Sequence, residues 1–132
     1  MRKAILIVDD EPHMCHLMEH TLKKGGYGFL VGHNGQDAID LATVAAPSLI
    51  VMDVNMPGIN GLDALRHLKA MPKTRDIPVI ILTGSGDLGT RDRSESQGAD
   101  LFLTKPFSPR ELQTQVARLI AEQDNNEPVL AP

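Results

Sequence analysis

Five short apolar runs, at residues 4–8, 28–31, 49–52, 79–82 and 101–103, are rich in β-branched side chains and show almost no polar alternation. That pattern predicts strands of a parallel sheet covered on both faces. Longer amphipathic segments lie between them, and most open with helix-start chemistry. Pro12 suits the first helical position. Asn34-Gly35-Gln36-Asp37 and Asn60-Gly61-Leu62-Asp63 each place a capping residue three before an acid, and Ser108-Pro109-Arg110-Glu111 is a full capping box with its proline in the favoured place. Gly25-Gly26 supplies a stop for the first helix. In the last helix Leu112, Val116, Leu119 and Ile120 form the i, i+4, i+7, i+8 stripe of a core-facing element. Strands alternating with helices predict an α/β fold, a doubly wound (βα)5 unit with right-handed crossovers.

Two segments stand apart. Residues 88–97 hold one large apolar side chain, Leu88, among Arg91, Asp92, Arg93, Ser94, Glu95 and Ser96, with Gly84, Gly86 and Gly89 leading in. So little apolar area predicts a fourth helix that is short or cheaply displaced. Residues 123–132 are polar, with two prolines and two asparagines. Residues 1–122 are therefore expected to form the domain, and 123–132 a flexible tail or linker stub.

Composition narrows the class. At 132 residues, with 42% hydrophobic and 23% charged side chains, the chain is sized for one soluble globular domain that needs no disulfide or structural metal. The single cysteine, Cys15, excludes an internal disulfide and fits a reducing, cytoplasmic setting. The apolar runs reach about a quarter of a membrane span, and the first ends at Asp9-Asp10, too short for a signal-peptide core. No membrane partner is expected. Net charge is −4, from 13 basic and 17 acidic residues with no long basic run. This argues against direct nucleic-acid binding, which draws on Lys and Arg to displace counterions. With no Trp, one Tyr and three Phe, the chain also lacks a platform for stacking bases.

Ligands of open α/β sheets bind outside the carboxyl ends of the strands, where the strand order reverses. Asp9 and Asp10 follow the first strand, Asp53 the third, Thr83 the fourth and Lys105 the fifth; nothing comparable follows the second. With a strand order of 2-1-3-4-5, the crevice opens beside Asp9, Asp10 and Asp53, with Thr83 and Lys105 alongside. Three like charges in a partly dry crevice call for a cation. Oxygen ligands without His or Cys select a hard one, Mg2+ or Mn2+. A divalent ion, an ammonium and a hydroxyl around one free carboxylate suit phosphoryl transfer, with Asp53 as nucleophile. Singly, each of these residues is more often a loop or capping residue. Their joint placement at four strand ends favours a site.

Four segments, taken in order, resemble the response regulator receiver domain, the bacterial two-component phosphoacceptor module, over residues 3–122. They are Ile7-Val8-Asp9-Asp10-Glu11-Pro12, Asp53-Val54-Asn55-Met56-Pro57-Gly58-Ile59-Asn60-Gly61, Val79-Ile80-Ile81-Leu82-Thr83-Gly84 and Gly98-Ala99-Asp100-Leu101-Phe102-Leu103-Thr104-Lys105-Pro106-Phe107. The resemblance implies the flavodoxin-like strand order 2-1-3-4-5. It implies that Asp53 is the phosphoacceptor and a metal ligand, that Asp10 binds Mg2+ directly and Asp9 through water, and that Asn55 lends its backbone carbonyl. Thr83 and Lys105 would bind the phosphoryl oxygens, Phe102 stands at the switch-aromatic position, and the Lys105-Pro106 peptide is implied to be cis. Phosphorylation would draw Thr83 toward the phosphoryl group and let Phe102 rotate into the vacated space, with residues 88–97 as the main element that changes. Gly84 would leave the phosphoryl site open, while Asn55 and Ser85 are placed to orient attacking water.

The implied donor is a histidine kinase or a histidine phosphotransfer protein. The implied output surface is the fourth helix, fifth strand and fifth helix, facing a downstream protein or a fused output domain. On this reading the chain is no enzyme toward outside substrates; it promotes only its own phosphorylation and dephosphorylation. A Mg2+-dependent aspartyl-phosphate phosphatase is the competing enzyme class, but it wants its nucleophile and acid two apart on the first strand, where this chain has adjacent acids. A receiver-like interaction module that is never phosphorylated has no use for Asp9, Asp10, Asp53, Thr83 and Lys105 together. His13, His16 and His20 share one face of the first helix, opposite the Met14, Met18 and Leu22 stripe. They are expected to be solvated, and Cys15 to be packed.

Overall fold

In the computed structural model residues 3–84 and 98–125 are described. The expected fourth helix at 88–97, and Ser85, lie outside the described residues. Strands β1 (Ala4–Val8), β2 (Gly28–Gly32), β3 (Leu49–Asp53), β4 (Val79–Gly84) and β5 (Leu101–Lys105) pair in parallel in the order 2-1-3-4-5. Every strand forms where an apolar run was expected. Four of them run one or two residues further, because the polar residues at their ends still join the backbone ladder. Register pairs Val8 with Gly32 and Met52, Asp53 with Leu82, and Gly84 with Lys105.

The described helices are α1 (Pro12–Leu22), α2 (Gly35–Ala45), α3 (Gly61–Ala70) and α4 (Pro109–Asn125). Their starts follow the capping chemistry of the sequence. Asn34 Oδ1 accepts from the Asp37 N–H at 2.8 Å, Asn60 Oδ1 from the Asp63 N–H at 2.9 Å, and Ser108 Oγ from the Glu111 N–H at 3.3 Å. Each bond satisfies one of the donors a helix start leaves open, worth about 1 kcal/mol. α1 ends in a 3-10 turn, Lys23–Gly25, closed by Gly26 at φ +77°. α4 continues to Asn125, so residues 123–125 are helical where a tail was expected. Glu122 and Gln123 sustain helix without an apolar face, and no proline intervenes before Pro128.

Alternation along the strands splits the core into two layers. Leu6, Val8, Ile50, Met52 and Ile81 face α2 and α3, where Ala38, Ala42, Leu62, Leu65 and Leu68 meet them. Ile5, Ile7, Val51, Ile80 and Leu82 face α1 and α4, against Met18, Leu22, Leu112, Val116 and Ile120. Each fully buried large aliphatic side chain contributes about 1.5–3 kcal/mol. β2, at the sheet edge, is only half-buried over Gly28–Val31. The two layers hold β1 and β3 side by side with their carboxyl ends level, and there the polar residues gather.

Candidate functional site

Asp9 directly follows β1 and is 0% exposed. Its N–H donates to the Gly32 carbonyl at 3.1 Å, and its Oδ1 accepts from the Glu11 N–H at 3.0 Å. Asp10, the next residue, is exposed. Asp53 closes the neighbouring β3 and is 5% exposed. The three carboxylates offer ligand oxygens that all lie within 4.8 Å of one another.

Lys105 closes β5, two strands away from β3, a gap of roughly 10 Å that only a long side chain bridges. Its Nζ reaches Asp9 Oδ2 at 3.2 Å and Asp53 Oδ1 at 3.4 Å. Burial raises the Asp53 carboxyl above its ordinary value; Lys105 offsets this only in part, and the charge of Asp9 adds to it, while the Asn55 backbone N–H favours the anion. Burial alone would lower the Lys105 ammonium, yet the charges of Asp53 and Asp9 and the hydrogen bonds with both hold it above its usual value. Three carboxylates face one ammonium here, which leaves a surplus of negative charge. The oxygen-only donor set around that surplus fits a hard divalent cation.

Thr83, one residue past the register partner of Asp53, is 2% exposed. Its hydroxyl donates to the Gly84 carbonyl at 3.5 Å, the long limit for such a bond, and is held loosely. Among the described residues, a Cβ on Gly84 would meet nothing within 4 Å. Phe102, paired with Ile81, lies on the sheet face that carries Thr83 and Thr104, while Leu101 and Leu103 pack into the opposite layer. The Lys105–Pro106 peptide is cis, as the resemblance implied.

The loop after β3 is clamped to Asp53. The Gly61 N–H donates to the Val54 carbonyl at 2.9 Å, and a Cβ on Gly61 would collide with the Asp53 carbonyl oxygen. Only glycine lets α3 start so close to the strand end. Gly58, at φ +76°, turns the loop before it. A Cβ on Gly35 would likewise strike the Ile59 carbonyl, so the start of α2 braces the same loop.

One neighbour of the crevice escaped the sequence reading, which found nothing comparable after β2. His33 immediately follows that strand, and its Nδ1–H donates to the Asp9 carbonyl at 3.1 Å, while its backbone N–H donates to Asp37 Oδ2 at 2.9 Å. The signal was available: pairing β1 with β2 puts the residue after Gly32 beside Asp9. Cys15 also touches this carbonyl, with Sγ at 3.5 Å. Burial pushes its thiol up to about 11, with the charge of Asp9 adding to the effect, so it is a packed and unreactive thiol as expected. His13, His16 and His20 are exposed on α1, opposite buried Met18 and Leu22.

Comparisons with known proteins converge on one family. The family model for the response regulator receiver domain matches residues 5–117. The phosphate regulon transcriptional regulatory protein PhoB of Pseudomonas aeruginosa is 42% identical over 119 residues, 90% of this chain and 51% of that protein. A probable transcriptional regulator, ycf27 of Cyanophora paradoxa, is 36% identical over 94% of this chain and 51% of its own length. The chain thus spans about half the length of the curated relatives it matches. Among solved structures, the signal receiver domain of a histidine kinase from Syntrophus aciditrophicus superposes with a TM-score of 0.87, at 36% identity and 98% coverage of both chains. The receiver domain of the sensor histidine kinase PA1611 from Pseudomonas aeruginosa, described with a magnesium ion coordinated in its active-site cleft, gives 0.84 at 30% identity over 92% of this chain and 99% of its own. The strand order, the acidic crevice and these matches agree: this chain belongs to the response regulator receiver family of two-component signalling.

Proposed function

We propose that this receiver accepts a phosphoryl group on Asp53 from the phosphohistidine of a kinase or phosphotransfer protein and changes shape in response. The convergence of Asp9, Asp10 and Asp53 at the strand ends, with Lys105 within 3.4 Å of two of them, carries the reading. Asp10 directly, Asp9 through water, Asp53 and the Asn55 carbonyl would hold Mg2+. When bound, the ion supplies charge neutralisation beside the phosphoryl oxygens.

The steps at the protein's own atoms follow. An Asp53 carboxylate oxygen attacks phosphorus, the P–N bond to the donor imidazole breaks, and the imidazole, already protonated on its other ring nitrogen, takes the bonding pair and leaves neutral. Lys105 moves from Asp53 to a phosphoryl oxygen, beside an acyl phosphate that carries about −1.5 to −2 where the carboxylate carried −1. Its ammonium stays protonated throughout, since the crevice raises its pKa. Thr83, loosely held, turns its hydroxyl to a phosphoryl oxygen. Phe102, on the same sheet face, then rotates toward the space it leaves. Water attacking phosphorus later cleaves the P–O bond and restores the carboxylate.

The partner surface is placed on β5 and α4 together with the helix expected at 88–97. It faces either a separate protein or an output domain in the same polypeptide, and the cytoplasm is the expected setting. Among the described residues no helix is long and apolar enough to cross a membrane. The test is incubation with acetyl phosphate and Mg2+ followed by intact mass. Wild type is expected to gain one phosphoryl transiently and Asp53→Ala none; identical behaviour of the two refutes the assignment.

A further inference from the structure

α1 carries a histidine face that the crevice chemistry does not use. His16 and His20 stand four residues apart on one side of the helix, both exposed. With Glu19, Lys23 and Phe29 they line a shallow hollow of about 350 Å3. Two histidines at i and i+4 on one helix face direct imidazole nitrogens to a common point, the spacing of helical zinc sites. Glu19 Oε2 lies 4.0 Å from His16 Nδ1, with the carboxylate side chain 35% exposed. At that distance the carboxylate makes no hydrogen bond to the ring and acts as a nearby negative charge that favours a bound cation.

From this arrangement we infer that His16 and His20 form a second cation site, for a borderline divalent ion of the Zn2+, Ni2+ or Cu2+ class. Glu19 supplies a neighbouring negative charge and water completes the shell. It is not a third ligand: among the described residues, Asp9, Asp10 and Asp53 are the only His, Cys or carboxylate group of three or more whose ligand atoms converge within 4.8 Å. Imidazole donors select these ions over Mg2+, so the site is chemically distinct from the oxygen-lined crevice. It stands or falls independently of the phosphoacceptor reading. Two protein ligands, with Lys23 one turn further on, set an affinity below that of structural zinc centres, which have four. His13 is not required, because its Nε2 faces Glu11 at 3.7 Å.

Isothermal titration of ZnCl2 into untagged, chelator-stripped full chain, with Mg2+ held in excess, tests the site. Wild type is expected to bind one Zn2+. His16→Ala and His20→Ala should each weaken it at least about tenfold and Glu19→Gln by a smaller factor, whereas His13→Ala leaves it unchanged. Because all four helix positions are solvent-facing, circular dichroism should show the variants folded. Absence of Zn2+ binding in the wild type, or binding that persists undiminished in both His16→Ala and His20→Ala, overturns the inference.

Discussion

Lys105→Met isolates the ammonium that the crevice depends on, since methionine keeps most of the apolar stem. The contacts at 3.2 Å to Asp9 and 3.4 Å to Asp53 each represent about 5 kcal/mol of gross attraction at an effective dielectric of about 20. Most of that is cancelled by the desolvation the lysine no longer suffers. Removing one partner of a buried pair costs about 3–5 kcal/mol net, because the other charge is stranded. Lys105 keeps 24% of its side chain exposed, which moves the expected loss to about 2–3 kcal/mol at neutral pH. The stranded groups are carboxylates, so the loss should shrink as pH falls and they protonate. Urea unfolding of wild type and variant at neutral and acidic pH reads this directly. Repeating the substitution in an Asp53→Asn background should reduce its cost, because one stranded charge is gone. Equal stability at neutral pH, or a loss that is the same at both pH values and in both backgrounds, would show that the ammonium is not what holds the carboxylates.

Asp53→Asn alone should stabilise. A carboxyl raised on folding binds more protons folded than unfolded, so its favourable contribution is present below the ordinary carboxylate range and lost as pH rises through the folded value. The variant's thermal midpoint should therefore exceed wild type at neutral pH, with the gap closing toward pH 4 and below; a gap that widens on acidification contradicts the sign. Gly61→Ala should destabilise by about 1–2 kcal/mol in denaturant melts, since strain of about 1–3 kcal/mol against fixed backbone outweighs the usual gain of about 0.5–1 kcal/mol on replacing a helical glycine. Ala46, the C-cap of α2, sits at φ +46°. Ala46→Gly should raise stability by about 0.5–1 kcal/mol, the relief of a left-handed alanine less the extra freedom of an unfolded glycine, and a lower melting temperature would refute it.

The pattern of apolar residues located every strand but ended four of them early, and the reason is physical. Hydrophobic periodicity stops where the site begins, yet backbone pairing does not. Asp53 and Lys105 are polar because they meet in the crevice, Thr83, Gly84 and Thr104 lie beside them at the strand ends, and all five remain in the ladder. Phe29, Leu30 and Val31 taught the opposite lesson: a continuous apolar run implied cover on both faces, but an edge strand has a neighbour on one side only. His33 was missed for a third reason. Its bond to the Asp9 carbonyl joins two loops 24 residues apart, and only the β1–β2 register brings them together.

The identities of the crevice residues were legible because each sits at a strand end, where a side chain serves ligands better than a core. Their charge state was not, since it depends on distances no sequence carries. Three carboxylates share one ammonium, and Asp53 and Lys105 are both displaced upward. In this condition Asp53 is a reluctant anion, and it is the anion that must attack phosphorus. A further positive charge in the crevice makes Asp53 more fully ionised and frees Lys105 for the incoming phosphoryl oxygens. Phosphoryl acceptance should therefore depend on divalent cation more steeply at a lower pH, closer to the raised carboxyl range, than at neutral pH. The initial rate of acetyl phosphate labelling, measured across Mg2+ concentrations at the two pH values, decides it, and an equal dependence at both would break the link between surplus charge and metal requirement.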